Sequence, residues 1–446
     1  MRSSCFALSL LLAGTLAAQT PPQRYLDWAR PLHGAEVYET RRANLAQALG
    51  DVVLLVPSFH GRSDGQSFRQ LDDFWYLTGL ELPQSMLLLD GRTGSSTVFV
   101  PAEDPHFGSS SRPNDFPGRP LLEDLELWRL AALPARDGAE LSDTLRALSS
   151  ARTLAVNAGR AGPLPGESVG WFGDPDQTAF LVGRLRAEFP GLLLRNAFDA
   201  VATVRQIKGP EEIATIRAVA ALTVDAIRDA AAHVRPGVTE RDLEAELEAG
   251  YKRRGAQRLA FASIIKSGPN SLWPWRVLAA HYDRRNRAMQ AGDLVIFDVG
   301  TELHGYVSDI GRTFPVSGRF TERQAEILRM ETAVADAIIA AMKPGVTLLE
   351  LMDVAREATP DEHERFMQAG LFFGHYLGLS TGDPADYTAP LAPGMVITVE
   401  PWYYNHEEGI SVFTEDMVLV TETGVEVLSS GLPRTPEELE AMVGRH

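Results

Sequence analysis

The second half of this chain repeats itself, and that limits its possible folds more than any other feature. Arg235-Pro236-Gly237-Val238-Thr239 returns as Lys343-Pro344-Gly345-Val346-Thr347, and His281-Tyr282 returns as His375-Tyr376. Gly292-Asp293-Leu294-Val295-Ile296-Phe297-Asp298 returns as Gly394-Met395-Val396-Ile397-Thr398-Val399-Glu400. The offsets are 108, 94 and 102 residues and the order is kept, so one duplicated unit with different loop lengths accounts for all three. In each copy a glycine opens an apolar run and a carboxylate stands six residues later, Asp298 in one and Glu400 in the other. A run such as Leu294 to Phe297 reads as a strand buried on both faces. A carboxylate there enters an interior that tolerates it only with a partner. If the copies pack about a pseudo-twofold axis, the two acids face each other and need either a shared proton or a cation.

The rest of the set favours a cation. Val307-Ser308-Asp309-Ile310 reads as a second apolar strand bearing one carboxylate, and the 11 residues between Asp298 and Asp309 suit a hairpin turning at His304-Gly305. Thr414-Glu415-Asp416-Met417-Val418 does the same after Glu400. Taken singly, an acid at a strand end is a turn residue and a lone histidine is a core residue; only the ordered set points to chemistry. Asp298, Asp309, Glu400 and Glu415 with His375 make a hard, oxygen-rich donor set whose four negative charges match two divalent ions. Two such ions can share a bridging hydroxide and polarise a carbonyl oxygen. The donor chemistry leans toward Mn2+, with Zn2+ or Co2+ also compatible.

A length of 446 residues suits two cores rather than one. Residues 19–197 read as a mixed α/β domain with buried strands at Asp51–Pro57, Ser85–Leu89 and Ser96–Val100, and a Gly- and Pro-rich loop over Gly162–Gly173. Residues 198–446 form the second domain. Its first helix is predicted from Pro210 to His233, with proline and two acids at the start, and its second from the N-cap Thr239 to Arg254. The net charge of -17 excludes a nucleic-acid binder, which needs lysine and arginine clusters. The apolar run Cys5–Leu12 followed by Thr15-Leu16-Ala17 predicts a signal peptide over residues 1–18, cut near Ala17 or Ala18, and so a periplasmic or secreted protein free of the membrane after cleavage. Cys5 is the only cysteine and leaves with it, so His, Asp and Glu must supply any metal donors.

In these contexts the series Asp298, Asp309, His375, Glu400, Glu415 resembles the Xaa-Pro aminopeptidase (aminopeptidase P) and prolidase family of pita-bread metallopeptidases. Phe68-Arg69-Gln70-Leu71-Asp72-Asp73-Phe74-Trp75-Tyr76-Leu77-Thr78-Gly79 is similar to the stretch that marks the aminopeptidase P branch. Gly305-Tyr306, Arg312-Thr313-Phe314-Pro315, His375-Tyr376-Leu377-Gly378-Leu379 and Thr398-Val399-Glu400-Pro401 resemble the family's metal motifs. The resemblance implies an α/β (α+β) architecture, a mixed N-terminal aminopeptidase P-type domain before a pita-bread catalytic domain with a pseudo-twofold repeat. It implies two metal ions on the five donors, Asp309 and Glu415 bridging and His375 on one ion. It further implies that His281 holds the scissile carbonyl or tetrahedral intermediate, that Glu400 moves the proton of the bridging water, and that the substrate is a peptide with proline second. A homo-oligomer, dimer or tetramer, belongs to the same implication.

Three positions depart from the family pattern. Ser380-Thr381-Gly382-Asp383 replaces Asp-Val-His-Asp, so Gly382 stands where a histidine is usual; Phe413 stands where an arginine is common, two residues before the last ligand; and Leu371 replaces a frequent histidine. The alternative reading is therefore a pita-bread binding module, or a peptidase of altered specificity with weak Xaa-Pro activity.

Overall fold

Residues 30–60, 68–104, 119–149, 152–162, 164, 177–282, 286–367 and 373–444 are described by a computed structural model. The expected signal peptide, most of the Gly162–Gly173 loop and Leu371 lie outside the described residues.

The first part of the chain runs α1 (Ala35–Leu49), β1 (Val53–Pro57), α2 (Asp72–Thr78), β2 (Met86–Asp90), β3 (Ser96–Val100), β4 (Glu103–Asp104), β5 (Arg119–Pro120), α3 (Leu125–Ala131), β6 (Ala135–Asp137), α4 (Leu141–Ser149), β7 (Leu154–Val156), α5 (Gln177–Glu188), β8 (Leu194–Asn196) and α6 (Phe198–Arg205). Six of its strands form one sheet in the order β6-β3-β2-β1-β7-β8. The pairs β1–β2 and β2–β3 are antiparallel, whereas β3–β6, β1–β7 and β7–β8 are parallel. The three expected strands are its centre, and the fully buried Leu54 and Leu55 show why β1 carries an unbroken apolar run.

The second part runs α7 (Pro210–Ala231), α8 (Glu240–Arg253), β9 (Arg258–Leu259), β10 (Ile264–Ser267), α9 (Trp275–Ala280), β11 (Leu294–Val299), β12 (Thr301–Leu303), β13 (Tyr306–Val307), β14 (Ile310–Pro315), α10 (Glu322–Ala341), α11 (Leu348–Ala358), α12 (Asp361–Met367), β15 (Phe373–Tyr376), β16 (Val396–Val399), β17 (Trp402–Asn405), β18 (Ile410–Phe413), β19 (Asp416–Val420), β20 (Val425–Val427) and α13 (Pro436–Glu440). The repeat is visible in hydrogen bonds. Gly237 (φ 87) donates its N–H to Met289 O at 2.9 Å, and Gly345 (φ 92) donates to Leu391 O at 2.8 Å. Thr239 and Thr347 then cap the next helices with reciprocal capping boxes. The sheet β10-β11-β14 is matched by β15-β16-β19, to which β20 adds a fourth strand.

The pair His281/His375 does not follow the repeat. His375 lies in β15, the strand that pairs with β16; the strand pairing with β11 is β10, and His281 comes later, at the C-terminus of α9. Pro269 and Pro274 lie between β10 and α9, where they rule out continuing the strand.

Two other segments also differ from the sequence reading. Val307 to Ile310 is not one strand: β13 ends at Val307, β14 starts at Ile310, and Asp309 sits in the break. Glu415 occupies the equivalent break between β18 and β19. Each copy is thus a bent hairpin whose strands cross from one sheet into another, β11 and β14 into β12 and β13, β16 and β19 into β17 and β18. The first hairpin turns at His304 (φ 50) and Gly305 (φ 82), the paired positive angles of a two-residue turn.

Candidate metal centre

The bends bring the acids together. Asp298 is near the end of β11, where Gly300 lets the bend close: a Cβ there would lie 2.0 Å from Ser308 O. Gly311 and Glu415 form a backbone bridge between the two copies, with N···O distances of 3.3 and 3.0 Å. One carboxylate oxygen from each of Asp298, Asp309 and Glu415 lies within 4.8 Å of the others. His375 Nε2 is 3.4 Å from Asp309 Oδ2. Glu400, just past β16, is held by Thr398 Oγ1, which donates to Oε1 at 3.0 Å, and by the indole N–H of Trp402, which donates to Oε2 at 3.0 Å. Thr398 in turn accepts the backbone N–H of His375 at 3.1 Å, so one short chain of bonds fixes both residues.

All four carboxyls are buried and their affinities for protons shift together. Burial pushes Asp298 up to about 7; Asp309 and Glu400 add to this, while Arg276 and His375 oppose it. Burial likewise raises Asp309 and Glu400 and lifts Glu415 well above the carboxylate range, with repulsion from Asp309, Glu400 and Asp298 adding to the last. For His375 burial works downward, but Asp309, Glu400 and Asp298 outweigh it and the ring is raised. The common cause is negative charge taken out of water with too little positive charge beside it. Asp309 Oδ1, Glu415 Oε2 and His375 Nδ1 are buried without a hydrogen-bond partner. Buried polar atoms are rarely left so. Oxygen donors at this spacing, with unpartnered lone pairs and excess negative charge, fit divalent cations.

His281 is not brought into this cluster. It is exposed at the end of α9, and its backbone N–H binds Leu278 O at 3.2 Å. What α9 delivers to the carboxylates is Arg276, with Nη2 3.3 Å from Asp298 Oδ2. Sequence reasoning missed Arg276, Trp402 and Gly374, and read Thr398 only as part of the motif around Glu400. A Cβ on Gly374 would stand 1.3 Å from Glu400 Oε1, so only glycine leaves room for that carboxylate. Of these, Trp402 carried a signal, two residues beyond Glu400. Phe413 is fully buried, its ring edge-on to Trp402 at 5.4 Å. Gly382 lines a cavity of about 440 Å³ between the two parts of the chain, together with Asp72, Asn157 and Arg205.

The profile of metallopeptidase family M24 matches residues 214–422, and that of the aminopeptidase P N-terminal domain matches residues 38–108. The chain is 29% identical to the Xaa-Pro aminopeptidase of Escherichia coli K12 over 454 residues, covering 91% of this chain and 97% of that protein. It is 33% identical over 266 residues to the mitochondrial intermediate cleaving peptidase 55 of Arabidopsis thaliana, covering 54% of this chain and 52% of that one. Its fold is similar to that of proline aminopeptidase P II from Yersinia pestis, with TM-score 0.74, 26% identity and coverage of 93% of this chain and 100% of the other. It is also similar to aminopeptidase P from E. coli with the inhibitor Pro-Leu, with TM-score 0.73, 28% identity and coverage of 92% and 98%.

Proposed function

The chain belongs to metallopeptidase family M24 and is a metallo-aminopeptidase; from that premise we propose that it removes the first residue of peptides whose second residue is proline, using two divalent ions, Mn2+ by preference. The observation that supports the reading best is the meeting of Asp298, Asp309 and Glu415 within 4.8 Å, contributed by both copies of the repeat, with Asp309 Oδ1 and Glu415 Oε2 unpartnered. Asp298, Asp309, His375, Glu400 and Glu415 are the ligands in this reading. Held by these residues, the ions would supply Lewis acidity, easing the loss of a proton from water at neutral pH and drawing electron density from the scissile carbonyl.

The side chains do the rest. Glu400, oriented by Thr398 and Trp402, is assigned the proton leaving the attacking water, which it passes to the departing proline nitrogen. A prolyl bond lacks the amide hydrogen that ordinary peptidases use, so the site must recognise it by shape and by the free amine of the first residue. His281 is assigned to the scissile carbonyl oxygen, supplying a hydrogen bond that strengthens as charge develops there. The expected leader makes the mature enzyme an exported one, periplasmic or secreted, acting on peptides as a dimer or tetramer.

The test is turnover of two peptides that differ only in proline or alanine at the second position, by mature protein reconstituted with Mn2+. Cleavage of the proline peptide alone supports the proposal. Cleavage of the alanine peptide alone, or of neither with two equivalents of metal bound, overturns it. In the same assay His281→Ala is expected to lower kcat by about a hundredfold or more with metal content unchanged.

A further inference from the structure

Helix α9 places a charge at the metal centre for which the reaction above has no use. Arg276 is only 2% exposed. Its guanidinium carbon is 3.8 Å from the ring centre of Trp402 and 4.1 Å from that of Phe413, so aromatic rings hold it in place. Its edge is left bare: Nε and Nη2 have no hydrogen-bond acceptor, and Nη2 meets Asp298 Oδ2 as an ion pair at 3.3 Å. A buried arginine with a structural role finds acceptors for its donors. Arg312 does so in this molecule, reaching the carbonyls of Gly311, Glu415, Leu432 and Pro433 and the Asp416 carboxylate at 2.7 Å. Arg276 instead faces a carboxylate that has two more, Asp309 and Glu415, within 4.8 Å. Like charges this close repel strongly in a buried, low-dielectric setting, so an arrangement of this kind needs a cation or a proton to be stable.

We propose that Arg276 is the resident counter-ion of the metal centre: it stabilises the carboxylates when the ions are away and competes with the ions for the same charge. The proposal rests on the metal-centre reading above. Its sign is definite. A fixed cation beside Asp298 favours the metal-free protein and repels incoming divalent ions, so removing it destabilises the first and tightens binding of the second. By linkage the two effects have one origin.

The experiment compares the parent with Arg276→Met, which keeps an apolar chain against the rings, with Arg276→Lys, and with the double variant Arg276→Met/Phe413→Arg, which returns the charge from β18. Melting temperatures are measured with and without Mn2+, and Mn2+ affinity is measured by titration calorimetry. Arg276→Met is expected to lower the metal-free Tm by several degrees, to lower the loaded Tm less, and to reduce the Mn2+ Kd about tenfold or more. Lysine and the double variant are expected to move both quantities back toward the parent. Equal losses of Tm in both states with Kd unchanged would show a packing role and overturn the proposal. Weaker Mn2+ binding in Arg276→Met would overturn it too, because the arginine would then be preparing Asp298 for the ion. A parent that binds no Mn2+ would overturn the metal-centre reading, while the metal-free Tm series would still decide the counter-ion.

Discussion

Gly374 separates donor identity from donor placement. A Cβ at this position would lie 1.3 Å from Glu400 Oε1 and 2.3 Å from Thr398 Oγ1, and Glu400 cannot yield without giving up the hydrogen bonds from Thr398 and Trp402. Gly374→Ala is therefore expected to leave a folded protein whose melting temperature no longer rises with Mn2+, as in Asp298→Ala or Glu400→Ala. An undiminished metal response in Gly374→Ala, read by calorimetry, would remove Glu400 from the ligand set. Gly382 is the opposite case, because a Cβ there meets nothing within 4 Å. Gly382→His should be accommodated and raise turnover of proline peptides; a folded variant with no gain means another residue serves there. The four carboxylates of the candidate donor set could be proposed from strand spacing and the repeat, and His375 from the motif it stands in. Gly374 and Arg276 were not legible, since a close approach or an ion pair between distant segments leaves no periodic trace in a sequence.

Helices were easier to read than strand ends. Thr239 accepts the N–H of Asp242 at 3.2 Å while the Asp242 carboxylate accepts the N–H of Thr239 at 2.9 Å, the reciprocal cap that starts α8. Proline at the first position of α7 and threonine before α8 announced both starts in the sequence. Thr239→Ala is expected to cost about 1 kcal/mol, seen as a lower urea midpoint with the slope and Mn2+ affinity unchanged. A change in Mn2+ affinity would mean that α8 is coupled to the centre through more than its fold. The bends at Asp309 and Glu415 escaped the same reading. A strand leaving one sheet for another keeps its apolar pattern, because both sheets bury it; only the ladder is interrupted, and the ladder is set by partners far away in the chain. The interruption is also what frees those two carboxylates to turn into the centre.

At the scale of the whole molecule, the two parts of the chain are held together by buried ions. Arg205 binds Asp73 at 2.7 Å and also pairs with Asp383, whose other oxygen takes Lys208 Nζ at 3.0 Å. Arg69 adds a bond to Glu302 at 2.7 Å, and Arg41 donates to the Tyr306 hydroxyl at 3.1 Å. The segment Phe68–Gly79 was legible as a motif, but its motif did not say that Asp72 and Asp73 face a second-domain acid through Arg205. Asp383 is fully buried, and burial alone would raise its carboxyl; Arg205 and Lys208 overcome that and hold it below its ordinary 3.8. A carboxyl depressed in the folded state stabilises the protein fully above its unfolded value, and that contribution is lost as the pH falls through the folded value. Asp383→Asn leaves two buried cations short of a partner and is expected to cost roughly 3–5 kcal/mol at pH 7. The difference between parent and variant, followed by denaturant unfolding of the metal-free proteins, should hold from pH 7 down to about 4 and shrink below that, as the parent's Asp383 takes up its proton. A difference that instead shrank as the pH rose from 4 to 7 would mean that Asp383 is protonated in the native protein, and that Arg205 is neutralised by Asp72 and Asp73 alone.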